Sequence, residues 1–333
     1  MEIKGASILV TGGLGFIGSH IVNSLVSQRA KVRILDNYST GSEKNISAVK
    51  DRVEIIKGDI LDLQTLRQAI RGADIVSHHA AQLEITKAIA DPVGDLTTNT
   101  IGTLNLFQAC AELGVKRIVN ASSAGVYGEA VEIPQKEDNH PTNPNWAYGV
   151  GKLANEKYSM IMKELYGLEI TNFRYAIVYG PREWYGRVLT IFLKRALEDQ
   201  PLIVFGDGEQ IRDFIYVDDV VEMHNQCLLH EEARHQIFNV STEIGTTINS
   251  LAQLVLTISG KDLKIVHEEV PEGNKSKQFE RKRLPQELKT LIQSRQKAKE
   301  LVGWEPKISL EEGVKKEWKW LVSNPHRWQT MSY

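Results

Sequence analysis

Tyr148 and Lys152 stand four residues apart in a stretch, 146–166, whose spacing and length are helical, so both side chains project from one helix face. A phenol titrates at about 10, so a tyrosine serving as general base at neutral pH needs a downward shift of about 3 units, roughly 4 kcal/mol. An ammonium one turn away favours the phenolate and supplies part of that shift. In a chain with ten tyrosines about one such pair arises by chance, so the surroundings must carry the reading. Ser122 and Ser123 provide them, at the carboxyl end of a predicted central strand, where open α/β sheets place their ligands.

A second constellation opens the chain. Directly after the first predicted strand come Gly12, Gly13, Gly15 and Gly18, and the first helix starts within that run at Phe16 and Ile17. One glycine lets the backbone turn tightly, another lets a pyrophosphate approach the amides, and the last lets helix and strand pack closely. The helix N-terminus then faces the anion. Asp36 closes the second strand 18 residues after Gly18, where a carboxylate accepts hydrogen bonds from both ribose hydroxyls and repels a 2'-phosphate. Asn37 and Tyr38 follow it, with no arginine to welcome that phosphate, so NAD is expected in preference to NADP. Gly18 is followed by Ser19 and His20, which excludes a P-loop.

The elements that must position these groups are legible as alternating runs. Segments 6–11, 31–35, 53–57, 74–79, 117–121 and 169–174 read as strands, and 16–28, 63–70, 95–113 and 146–166 as helices. That alternation predicts an α/β fold, a doubly wound parallel sheet covered on both faces. After about residue 175 the rhythm becomes irregular. A helix at 188–198, strands at 202–205 and 212–217 flanking a Gly206-Asp207-Gly208 turn, and a Trp-rich C-terminal helix predict a smaller mixed α/β unit.

Composition bounds the rest. With 333 residues, 42% hydrophobic and 25% charged, the chain is a soluble globule of one large or two closely packed domains. The net charge of -2 gives no global pull toward nucleic acid or an anionic membrane. Cys110 and Cys227 cannot build a disulfide framework, and with no apolar run of membrane-spanning length and no signal-peptide pattern the expected location is cytoplasmic. His78 and His79 are strand neighbours that point to opposite faces, and no metal site is expected; His20 reads as a packed or exposed histidine.

The glycine run, Asp36, Gly58-Asp59-Ile60, His79-Ala80-Ala81-Gln82, Asn99, Ser122-Ser123, Tyr148 with Lys152, and Arg174-Tyr175 ahead of Val178-Tyr179-Gly180-Pro181-Arg182 resemble the extended short-chain dehydrogenase/reductase family. Within it they are similar to the sugar-nucleotide epimerases and dehydratases. The resemblance implies a Rossmann domain at 1–175 and a sugar-nucleotide domain at 176–333, their segments interleaved. It implies that Ser123, Tyr148 and Lys152 are the catalytic set. Asp59 and Ile60 would hold the adenine and Ala80 and Ala81 would line the cofactor cleft, with Asn37, Gln82, Asn99, Ser122 and Tyr175 completing it. Tyr148 would take a proton from a sugar hydroxyl as hydride leaves for NAD, Ser123 would share that proton, and Lys152 would also hold the nicotinamide ribose. The positive nicotinamide ring would add to the stabilisation of the phenolate. A homodimer through 95–113 and 146–166 is the implied assembly.

The residues after Ser123 bear on the fate of the oxidised sugar. The resembling 4,6-dehydratases carry an Asp-Glu pair there, and the decarboxylases a glutamate two positions on; this chain has Ala124-Gly125. Carbon-4 epimerisation of a nucleotide sugar, in first place a UDP-hexose, is the expected outcome. The alternatives are a dehydratase or reductase of the same family, and a catalytically silent NAD-binding regulator. For the substrate, Arg212 is expected to grip the diphosphate, with Arg281 or Arg283 as a second phosphate arginine. Ile177 stands where such epimerases commonly have asparagine, Glu84 lies in the loop reaching the hexose, and Arg187 beside Val188 could neutralise phosphate or carboxylate. The aromatic connection 182–187 is either a lid or a structural clasp.

Overall fold

A computed structural model describes residues 2–183, 186–278 and 281–328; Trp184 and Tyr185 of the aromatic connection lie outside the described residues. The first part of the chain runs β1 (Ser7–Thr11), α1 (Phe16–Ser27), β2 (Lys31–Asp36), β3 (Val53–Lys57), α2 (Leu63–Ile70) and β4 (Ile75–His78). It continues through α3 (Ile85–Ala90), α4 (Pro92–Leu96), α5 (Gly102–Glu112), β5 (Arg117–Ser123), α6 (Ala147–Tyr166) and β6 (Glu169–Tyr175). Then come β7 (Ile177–Tyr179), α7 (Val188–Leu197), β8 (Leu202–Phe205), β9 (Ile211–Tyr216), α8 (Val217–Leu229), β10 (Ile237–Val240), β11 (Gly245–Thr247) and α9 (Ile248–Ser259). The last elements are β12 (Ile265–Glu268), β13 (Thr290–Leu291), α10 (Gln296–Val302), α11 (Leu310–Ser323) and α12 (Pro325–Trp328).

Seven strands form one sheet in the order β10-β6-β5-β4-β1-β2-β3, every pair parallel. These strands are short and most are rich in Val and Ile, which suits burial on both faces. One apolar cluster, with Leu66, Ile70, Leu106 and Phe107, covers one face, and a larger one, with Ile21, Leu25, Val220 and Met223, covers the other and runs on beneath α7, α9 and α11. The strand order reverses between β1 and β4, so a crevice opens at their carboxyl ends. The six sheet strands expected from the sequence all form; the seventh, β10, comes from the second half of the chain.

Two local expectations change. The single helix predicted at 95–113 is broken by a π turn at Thr97–Ile101 between α4 and α5. That wide turn sets the buried Asn99 against Gln82 and Asp95. Strands β8 and β9 flank the Gly206–Gly208 turn as expected but do not pair as a hairpin: β8 pairs with β12, and β9 with β7, β11 and β13. Helix α6 ends where Gly167 takes a left-handed φ of 66°. Among the described residues no helix is long and apolar enough to cross a membrane.

Candidate active site

A cavity of about 630 Å³ runs from the β1–α1 loop across the carboxyl ends of β4 and β5 to the second sheet, a volume suited to a cofactor and substrate together. Its first end is built by glycine. Gly12 has a φ of 67°, and a Cβ there would stand 2.8 Å from the Ala80 backbone nitrogen; a Cβ on Gly18 would stand 2.2 Å from the Gly12 carbonyl oxygen. Loop, helix and strand β4 therefore close up only with these residues. Gly15 caps α1 with no side chain over the helix N-terminus, leaving the first-turn amides for a pyrophosphate. Phe16 and Ile17 line the same end.

Asp36 sits at the tip of β2, where its carboxylate accepts from the Leu14 amide at 3.0 Å and the Tyr38 amide at 2.8 Å. Burial pushes its pKa up, against those two hydrogen bonds. The amides fix the carboxylate in the cavity wall, where ribose hydroxyls would meet it. Replacing Asp36 with Ala is expected to weaken NAD binding about tenfold, on the order of one charge-assisted hydrogen bond, and to narrow the preference over NADP; fluorescence titration with both dinucleotides checks this. Asn37 donates to Asp59 at 2.8 Å, and Asp59 accepts from the Leu61 amide, so the adenine wall with Ile60 is held by its own hydrogen bonds.

At the other end Tyr148 occupies the first turn of α6, and Lys152 lies one turn on. Lys152 is buried and donates to the Ala121 carbonyl at 2.8 Å. Its Nζ lies 5.7 Å from the centroid of the Tyr148 ring. Burial pulls its pKa down to about 8, with Asp95 opposing. Ser123, at the end of β5, accepts from the Gly125 amide at 3.0 Å and lies close enough to the Tyr148 phenol to lower its pKa. The phenol is pushed up to about 12, chiefly by burial and further by Asp95, with Arg187 and Ser123 drawing it down. The expected downward shift from Lys152 is thus not supplied by the chain alone: burial and Asp95 outweigh the pull of Arg187, and the phenol is neutral. The positive ring of a bound nicotinamide would draw the phenol down, and the glycine loop and Asp36 line the cavity where NAD would lie.

Of the sequence-predicted residues, Ala80, Ala81, Gln82, Glu84, Ser122, Tyr175, Ile177, Arg187, Val188 and Arg212 also line the cavity. Asn99 does not; it lies behind Gln82, donating to its carbonyl and accepting from its amide. Arg283 does not either, since its guanidinium donates to Glu287 at 3.1 Å and to the Val270 carbonyl at 3.0 Å. Arg281 reaches the cavity and donates to the Gly186 carbonyl. Arg212 is held by the Leu288 carbonyl at 2.7 Å, with Glu287 3.7 Å away. His78 bridges Thr11 and Thr103, and His20 contacts the Pro181 carbonyl, so both are packing residues.

Sequence reasoning missed Glu156. It lies four residues beyond Lys152 on the same face of α6, a spacing that could have revealed it. Its carboxylate takes two bonds from Arg174 on β6, at 3.0 and 2.8 Å, and one from Ser122 on β5, at 2.5 Å. Arg174 also donates to the Tyr127 hydroxyl. The helix that carries Tyr148 and Lys152 is pinned to two strands by this buried network, and Ser122 serves it.

The fold and site define a dinucleotide-dependent enzyme of the doubly wound α/β class with a Ser-Tyr-Lys set. The model of the NAD dependent epimerase/dehydratase family matches residues 8–241. The chain is 36% identical to a putative UDP-glucose 4-epimerase of Methanocaldococcus jannaschii, over 95% of this chain and 99% of that one. It is 32% identical to a UDP-N-acetyl-alpha-D-glucosaminuronate decarboxylase of Bacillus cytotoxicus, over 94% and 96%. Among solved structures, UDP-glucose 4-epimerase of Thermotoga maritima with UDP-glucose superposes with a TM-score of 0.87 at 35% identity, covering 96% and 99%. The chain belongs to the NAD dependent epimerase/dehydratase family, and NAD is its cofactor.

Proposed function

We propose that the protein interconverts carbon-4 epimers of a nucleotide sugar, in first place a UDP-hexose, with residues 1–175 holding NAD and 176–333 the sugar nucleotide. The observation that carries the reading is the Ser123–Tyr148–Lys152 set at a cavity wall that continues as Ala124 and Gly125, with no acid at either of those two positions. Bound NAD supplies a reversible hydride acceptor for carbon 4. Tyr148 takes the hydroxyl proton, Ser123 holds the oxygen during the change, and Lys152 keeps a positive charge beside the phenolate. Elimination of water from a neighbouring carbon needs a further acid and base. With none at positions 124 and 125, a 4-keto sugar turns over in the cavity and is reduced on its other face. Arg212 and Arg281, which line the cavity, would meet the diphosphate.

Incubating the NAD-loaded protein with UDP-glucose, UDP-N-acetylglucosamine and UDP-glucuronate, with products resolved by NMR, tests this. A mixture of 4-epimers from at least one donor is expected. A stable keto-deoxy sugar, or stoichiometric NADH, would favour the dehydratase or reductase reading.

A homodimer is part of the proposal. Helix α6 leaves a stripe of apolar side chains in solvent, Val150, Tyr158, Ile161 and Leu165, the last 67% exposed, and Val93 on α4 is 71% exposed. Such a patch on helices next to the catalytic turn suits a self-complementary contact. Sedimentation should give twice the monomer mass, and Ile161→Glu with Leu165→Glu should halve it.

A further inference from the structure

The segment between β7 and α7 carries a carboxyl group into a place where water cannot stabilise it. Glu183 is 5% exposed, and its ionic partner is Arg187, with Nε 3.4 Å from Oε1. A second carboxyl, Glu317 on α11, is 1% exposed, and its Oε2 has no hydrogen-bond partner. The two acids sense one another: burial, with Glu183 adding to it, pushes Glu317 well above the carboxylate range, and burial holds Glu183 up to about 7 against the pull of Arg187. One guanidinium cannot hold two buried carboxylates ionised, so Glu317 keeps its proton and Glu183 titrates close to neutrality.

Among the described residues, Arg187 is the cation that acts on Glu183, and none is found to act on Glu317. Tyr179 from β7 and Tyr216 from β9 are both pushed up, chiefly by burial and in part by Glu317. Asp218 and Asp219 from α8 and Glu312 from α11 add negative charge around those phenols. Lys316 lies over the Tyr216 ring and Arg182 acts on the same phenol. Toward the cavity the facing group is Tyr148 on α6, which Arg187 draws down.

Arg187 thus stands at a boundary. Its Nη1 donates to the Val178 carbonyl at 3.1 Å, its Nε faces Glu183, and its guanidinium lines the cavity beside the catalytic phenol. We propose that Glu183 is a positioning residue that stores Arg187 in the substrate-free enzyme and takes up a proton from solvent when a nucleotide-sugar anion draws the guanidinium away. This rests on the reading that the cavity receives a nucleotide sugar. Linkage sets the sign. Glu183 is already protonated at low pH, so binding there takes up nothing; near and above neutrality it is ionised when free and protonated when deserted, so binding takes up a proton and weakens as pH rises.

The test is calorimetric. The NAD-loaded protein is titrated with whichever of UDP-glucose, UDP-N-acetylglucosamine and UDP-glucuronate it binds, in buffers of low and high ionisation enthalpy. At pH 7.5 uptake of about half a proton or more per site is expected, and close to none at pH 5.5. Glu183→Gln should bind with the uptake lost. Glu317→Gln, an isostere of the protonated acid, should keep it. Heats independent of buffer at pH 7.5, or equal uptake in Glu183→Gln, overturn the proposal while leaving the functional reading intact. If Glu183→Gln does not fold, the wild-type pH series decides, since equal uptake at both pH values also overturns it. Absence of binding by all three sugar nucleotides overturns the functional reading and this proposal with it.

Discussion

Replacing Tyr148 with Phe is expected to lower kcat about a thousandfold, the usual scale for removing a positioned general acid-base group, with NAD still bound. The aromatic ring keeps its packing in the first turn of α6 and its 5.7 Å spacing from the Lys152 ammonium, so the cofactor cleft should stand. What disappears is the oxygen that, in the proposed reaction, exchanges a proton with the hydroxyl on carbon 4. Because burial holds the phenol up at about 12 in the chain alone, NAD binding should draw it down. Ultraviolet difference titration should show a tyrosine ionising several units lower with NAD than without, and Tyr148→Phe should abolish that difference. Stopped-flow and steady-state rates at saturating substrate supply the kcat.

Replacing Glu156 with Ala is expected to cost about 3–5 kcal/mol of stability, the range for stripping one partner from a buried ion pair. Glu156 and Arg174 are 1% and 3% exposed, so the deserted guanidinium finds little water. The pair holds Arg174 above even the usual guanidinium value. The loss extends beyond stability, since the network fastens α6 to β5 and β6 and with it the separation of Tyr148, Lys152 and Ser123. Denaturant unfolding followed by circular dichroism measures the stability. A variant that folds should also lose kcat, although Glu156 lies away from the cavity.

The elements that carry chemistry were legible because their signals are local. Val- and Ile-rich runs separated by helical stretches mark β1 to β6, and the glycine spacing with Asp36 marks the cofactor end. Strand β10 was not, because four residues at 237–240 carry no cue that the chain returns to the sheet beside β6. The same limit hid the partners of β8 and β9: a Gly-rich turn between two apolar runs signals a hairpin, and only the distant strands β11, β12 and β13 reveal that each run pairs elsewhere. Long-range placement also separates two neighbouring arginines, Arg281 at the cavity and Arg283 tied to Glu287. The raised pKa of the Tyr148 phenol in the chain without NAD was hidden for a related reason. Sequence spacing shows the ammonium one turn away, while the desolvation that raises the phenol depends on how the whole cavity wall packs.

The proposed reaction stands on a hydride that leaves carbon 4 and returns to it within one binding event. A nucleotide hexose carrying deuterium at carbon 4, incubated with the NAD-loaded protein in ordinary water and followed by NMR, tests this most directly. The expected product is the 4-epimer with the deuterium still on carbon 4 and no label in released NADH. Exchange of that deuterium with solvent hydrogen, or its appearance at carbon 6 of a keto-deoxy sugar, contradicts it.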